Sequence, residues 1–119
     1  MTITIYHNSR CSKSRKTLEL IEESGFASEI VNYLDSPPTA ARICELAGTL
    51  GVPVAELLRR NEDEFRNADD VPALEDNDAL AAWIEKHPRV LQRPIVIDDA
   101  ADAAVIGRPP ENVRALLRK

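Results

Sequence analysis

The spacing of apolar and polar residues changes period several times along the chain. Thr2-Ile3-Thr4-Ile5-Tyr6 alternates with period two, Ile3 and Ile5 to one side, and predicts a strand. From about Ser12 the period becomes helical. Ser14, Thr17, Leu18, Ile21, Ser24 and Gly25 fall on one face, and Gly25 supplies the helix end. Glu29–Tyr33, with Ile30 and Val31 at its centre, predicts a second strand, stopped by Asp35-Ser36-Pro37-Pro38 because proline cannot continue a ladder. Thr39 reads as the N-cap of a helix with the stripe Ile43, Leu46, Ala47 and Leu50, closed by Gly51. Pro53 suits the first turn of a short helix through Leu57-Leu58, and Asn61-Glu62-Asp63-Glu64 resembles a capping box for another near Phe65. Asp76–Lys86 predicts a longer helix with Leu80, Trp83 and Ile84 inward. Two short strands follow, Arg89–Leu91 with Ile95–Ile97, and Ala103–Ile106, joined as an antiparallel hairpin through Asp98-Asp99-Ala100-Ala101. Gly107-Arg108-Pro109-Pro110 then leads into a final helix carrying Val113, Leu116 and Leu117.

A helical crossover between the first two strands implies that they run parallel. A βαβ unit, then helices, a β-hairpin and a closing helix is the order of an α/β, thioredoxin-like (glutaredoxin-like) fold. It predicts a small mixed sheet in one domain over residues 1–119, with a helical region inserted at about 53–87. The carboxyl end of the first strand, where open α/β sheets place their ligands, is occupied by the loop before Ser12. Arg93-Pro94 at the start of a strand also fits, since that fold carries a cis-proline facing its thiol.

The remaining bounds come from composition. A chain of 119 residues, 44% hydrophobic and 29% charged, is expected to be a soluble globular domain with a real core. Its apolar runs are only a few residues long, and no signal-peptide core precedes the first strand, so no membrane association is expected. A net charge of −5 argues against a nucleic-acid binder. Two cysteines, Cys11 and Cys44, with no Cys-x-x-Cys pair, give neither a disulfide framework nor a zinc site. A cytoplasmic location and no metal are expected. The charge is uneven: eight of the twenty carboxylates lie between Glu62 and Asp78, whereas residues 1–18 hold Arg10, Lys13, Arg15 and Lys16 and no carboxylate.

That basic segment places Cys11 at the start of the first helix. There the thiol meets free backbone N–H donors and the positive end of the helix dipole, both of which favour the thiolate. Ser14, not cysteine, stands three residues on, so the sulfur must be resolved by an outside thiol or by Cys44. Cys44, beside the stripe of its helix, is read as structural. A tyrosine-phosphatase site is excluded, because that motif needs an arginine at position 17, where this chain has threonine. His7 would either stabilise the thiolate as an imidazolium or fix the loop backbone, and the Ser14 hydroxyl could donate to the sulfur. His87, beside Pro88, is read as a surface or capping residue. Arg59, Arg93 and Arg108 stand in apolar or rigid contexts, and converging guanidinium groups would make an oxyanion site.

His7-Asn8-x-x-Cys11-x-x-Ser14-Arg15-x-Thr17-Leu18, Leu57-Leu58-Arg59, Arg93-Pro94-Ile95-Val96 and Gly107-Arg108-Pro109 together resemble the glutaredoxin-dependent arsenate reductase (ArsC) family, in its short chromosomal branch. The resemblance implies a single catalytic cysteine, Cys11. It also implies that Arg59, Arg93 and Arg108 bind the oxyanion and that His7, Ser14 and Arg15 support the thiolate. Arsenate, or a similar oxyanion, would be reduced to arsenite with glutathione as co-substrate and glutaredoxin as partner, without a tightly bound cofactor. Alternatives on the same fold are a glutathione-linked thiol oxidoreductase acting on another substrate and a regulatory binding protein similar to Spx.

Overall fold

The computed structural model describes residues 2–98 and 100–117, which fall into two units: the first is formed from both chain ends, residues 1–36 and 93–119, and the second from residues 37–92. In the first unit, strand β1 (Thr2–His7), helix α1 (Ser12–Glu23) and strand β2 (Ala27–Asn32) form the expected βαβ start. β3 (Ile95–Asp98) and β4 (Ala103–Ile106) complete a four-stranded sheet in the order β2-β1-β3-β4. β1 and β2 run parallel, with Ile5 opposite Ile30 and His7 opposite Asn32. β3 is antiparallel to both β1 and β4, so the hairpin expected at the chain's end is present. This mixed sheet with helices is a thioredoxin-like fold.

The period-two pattern of β1 explains its placement. Ile3 and Ile5 are fully buried and join Leu20 and Ile21 of α1, Val96 of β3 and Val113 in one apolar cluster. α1 ends as its glycine requires: Gly25, at φ 79°, takes the left-handed conformation just beyond the last turn.

In the second unit, α2 (Ala40–Leu50) begins at Thr39, whose hydroxyl accepts from the Arg42 N–H, and ends at the left-handed Gly51. α4 (Asn77–Lys86) is capped by Asp76, which accepts from the Ala79 N–H. Their buried faces, Ile43, Leu46 and Ala47 on one and Leu80, Ala81 and Ile84 on the other, carry the apolar stripes read from the sequence. Between them lie a 3-10 turn at Val54–Leu57 and the short α3 (Asp63–Arg66). No described helix is long and apolar enough to cross a membrane.

Three local expectations are corrected. Arg89–Leu91 is not strand: Pro88–Val90 is a 3-10 turn with proline in its first position, and Leu91 makes only a single bridge to Leu58. The final helix is a 3-10 helix over Pro110–Ala115, six residues bounded by prolines at its start. α3 has no capping box: its N-cap is Glu62, without a side-chain cap bond. In the hairpin, Asp98 still belongs to β3, and Asp99, part of the predicted turn, lies outside the described residues.

Candidate active site

Four segments of the first unit meet at the carboxyl end of β1. The loop after His7 is closed by a bond from the Cys11 N–H to the Asn8 carbonyl, 2.9 Å, and braced where the Asn8 side chain accepts from the Arg10 N–H, 3.0 Å. Arg15 reaches back from α1 and donates to the Ser9 carbonyl, 2.8 Å. Cys11 is thereby held as the N-cap of α1 with its sulfur over the first turn. Partial burial pushes the thiol pKa up, but the Ser14 N–H, the Arg93 side chain and the Lys13 N–H outweigh it and hold the pKa below the ordinary thiol value.

Two arginines reach this sulfur. Arg93 contacts it through its guanidinium, and Arg108 Nη1 lies 4.0 Å away. Arg108 Nη1 also donates to the Arg93 carbonyl, 3.1 Å, tying the two segments together. Each arginine precedes a cis-proline, Pro94 and Pro109. Gly107 between them packs against α1 so closely that a Cβ would come within 2.6 Å of Thr17 Oγ1 and 2.8 Å of Pro94 Cγ. Thr17 is itself buried and fixed to the Lys13 carbonyl, so it cannot yield. Gly107→Ala is therefore expected to destabilise the protein by about 1–3 kcal/mol. Gly48→Ala, at an open position in α2, should be neutral or stabilising by about 0.5–1 kcal/mol, and denaturant unfolding of both variants compares the two.

Of the two readings of His7 the structure disfavours the imidazolium, and Ser14 supports the thiol through its backbone. His7 is buried; that burial, and then the charge of Arg15, lower its pKa, so near neutral pH the ring is uncharged and is not an imidazolium beside the sulfur. Ser14 Oγ, fully buried, lies 2.7 Å from His7 Nδ1 and accepts from the Asn8 N–H at 3.1 Å. It is the Ser14 backbone N–H, not its hydroxyl, that serves the sulfur. Because the lowered pKa lies below the imidazole value of about 6.5, the unfolded chain binds the extra proton first on acidification. Stability is expected to fall as pH drops below that value. Melting temperatures of the protein and of His7→Gln at pH 7.5 and 5.5 check this, the variant lacking the His7 share of the fall.

The second unit holds the other candidates. Arg59 follows Leu58 out of the bridge to Leu91, with its N–H donating to the Val90 carbonyl at 2.6 Å and Nη1 3.6 Å from Glu62. Cys44 contacts Asp78 Oδ1 at 3.7 Å and the Asn77 carbonyl at 4.0 Å. Burial, then the Asp78 carboxylate, push its pKa up, so it stays a protonated thiol. His87 caps α4, pairs with Glu64 at 3.1 Å and stacks on Trp83, with ring centroids 4.2 Å apart, in keeping with the capping reading. Among the described residues, no group of three or more His, Cys, Asp or Glu side chains could hold a metal ion.

The sequence model of the ArsC family matches residues 6–116, a span that contains every candidate residue above. The chain belongs to the ArsC family. It is 45% identical over 117 residues to the arsenate reductase of Neisseria meningitidis serogroup A, with 97% of each chain covered. To the arsenate reductase of Escherichia coli K12 it is 36% identical, over 97% of this chain and 80% of that one. Its fold superposes on the arsenate reductase from Vibrio cholerae with a TM-score of 0.88, at 36% identity and 97% coverage of both chains. Within the ArsC family frame, the cysteine and the Arg-Pro segments quoted above are the parts that this chain gathers at one sheet end.

Sequence reasoning missed Tyr33. It ends the predicted second strand as an ordinary aromatic, yet its side chain is fully buried and interacts with Arg93. No spacing signal links positions 33 and 93; only the sheet brings them together.

Proposed function

We propose that this ArsC-family protein is an arsenate reductase that uses glutathione and glutaredoxin as its source of electrons. Cys11 is the nucleophile, and Arg93 and Arg108 hold the oxyanion. The observation that carries this reading is the low-pKa sulfur at the head of α1 with two guanidinium groups beside it. Arsenate is an anion approaching a thiolate, and the arginines offset that repulsion while their planar forks orient its oxygens. The names of the relatives support the choice of arsenate among tetrahedral oxyanions.

In the reaction proposed, a sulfur–arsenic bond forms at Cys11 and one arsenate oxygen leaves as water. Glutathione adds to arsenic in the same way, releasing a second water. A glutaredoxin thiolate then attacks the glutathione sulfur. The bond between that sulfur and arsenic breaks, its electron pair stays on arsenic, and As(V) becomes As(III). Water finally releases arsenite and restores Cys11. The outside thiols are needed because Ser14 replaces a resolving cysteine and Cys44 stays protonated. His7, Ser14 and Arg15 act by fixing the loop that presents the sulfur. Arg59 enters the proposal through its sequence motif as a further oxyanion ligand. Dependence on reduced glutathione makes the cytoplasm the proposed compartment.

The test is NADPH consumption with arsenate, glutathione, glutathione reductase and glutaredoxin, each omitted in turn. Turnover that needs arsenate, glutathione and glutaredoxin together establishes the activity. Folded protein that ignores arsenate but reduces a glutathionylated disulfide would replace this reading with a thiol reductase of different substrate. A folded protein inactive in both assays would leave the regulatory alternative.

A further inference from the structure

β2 is an edge strand whose residues are exposed or half-buried throughout, but the residue just after it is different. Tyr33 is 0% exposed, the bulkiest of the fully buried side chains, and it is absent from the apolar cluster that α1 and the C-terminal segment form on the sheet. The parallel register sets its height. His7 lies opposite Asn32, so Tyr33 stands one step beyond, level with Asn8 at the start of the thiol loop. On the other side of β1 the antiparallel register pairs Tyr6 with Ile95, which brings Arg93 to the same level. Tyr33 and Arg93 thus flank the end of β1, and the Arg93 guanidinium interacts with both the Tyr33 phenol and the Cys11 side chain.

A buried phenol has one polar atom to satisfy, and at neutral pH its oxygen is uncharged and offers lone pairs to N–H donors. An arginine side chain has several rotatable bonds, and pinning it at a second point removes conformers that would leave the sulfur.

We propose that Tyr33 is a positioning residue, whose buried phenol at the end of β2 holds the Arg93 guanidinium against the Cys11 sulfur and so keeps the thiol ready to react. The inference rests on the reading that the Cys11 thiolate is the reacting group, but not on arsenate being its substrate.

The experiment follows Cys11 alkylation by iodoacetamide against pH, by intact mass, in a Cys44→Ser background. Tyr33→Phe keeps the ring and removes only the oxygen. It should raise the alkylation midpoint by about half a pH unit, roughly a threefold loss of thiolate on the acid side. The same change made together with Arg93→Ala should add nothing to the shift of Arg93→Ala alone, which a purely structural role for the tyrosine would not produce. No shift in Tyr33→Phe, or an equal shift with and without Arg93, would overturn the proposal. Should Tyr33→Phe not fold, uniform 3-fluorotyrosine, which weakens the phenol oxygen as an acceptor, replaces it in both backgrounds with the same criteria. Since no arsenate is present, a failed arsenate assay and a failed positioning role give separate results.

Discussion

Cys11→Ser is expected to reduce arsenate turnover by about 10⁴-fold or more, to the background of the assay. The environment of residue 11 lowers a thiol pKa by a limited amount, through two backbone N–H groups and the Arg93 charge. That is enough to make a thiolate from a group that ionises near pH 8.5, but far too little to ionise a serine hydroxyl. The variant keeps the loop, since the Cys11 N–H bond to Asn8 and the start of α1 involve only backbone. Loss of rate in Cys11→Ser therefore reports chemistry, and circular dichroism checks that the fold is retained. Cys44→Ser is the matched control and should retain most of the rate, because Cys44 is held protonated by its burial and by Asp78. Equal losses in the two variants would make Cys44 the resolving thiol and end the single-cysteine mechanism.

The second large effect concerns Arg93. Arg93→Lys preserves the charge but should lower kcat/KM for arsenate by about a hundredfold. The guanidinium at this position faces Tyr33 and Cys11 together, and a lysine ammonium is a single point that cannot serve both and also grip two arsenate oxygens. Arg108 does not make up the loss, since in the proposed site it already carries its own share of the oxyanion. Steady-state kinetics with varied arsenate test this, and unchanged constants would remove Arg93 from the site.

Much of the site was legible in the sequence because its signals are local. Cys11 before a helical period, a basic segment without carboxylates, and Arg-Pro pairs beside β3 and β4 all sit within short windows. What could not be read is set by burial and distance. His7 was open between a cation for the thiolate and a residue fixing the loop backbone, and what separates the two is burial in the finished fold, which keeps the ring neutral and turns it to Ser14. Ser14 reads from the sequence as a hydroxyl donor, whereas it is the backbone N–H of Ser14 at the helix start that helps to lower the thiol pKa. Arg89–Leu91 has strand-like residues, yet Pro88 and the short span leave a 3-10 turn with one bridge. Gly107 read only as part of the lead into the final helix. Its role is steric, and Thr17 and Pro94, which impose it, are remote in sequence.

The first unit is assembled from the two ends of the chain, and the contact between Arg108 and Cys11 spans 97 positions. During synthesis Cys11 emerges long before either Arg93 or Arg108. Long-range closures of this kind come late and slowly in folding. Thiol acidity here is accordingly a property acquired on completion, so a nascent or unfolded copy carries an ordinary, less ionised cysteine. Iodoacetamide reactivity during refolding should then trail the recovery of helical signal, which makes the sulfur a built-in reporter of whether the thiol loop and the two Arg-Pro segments have met.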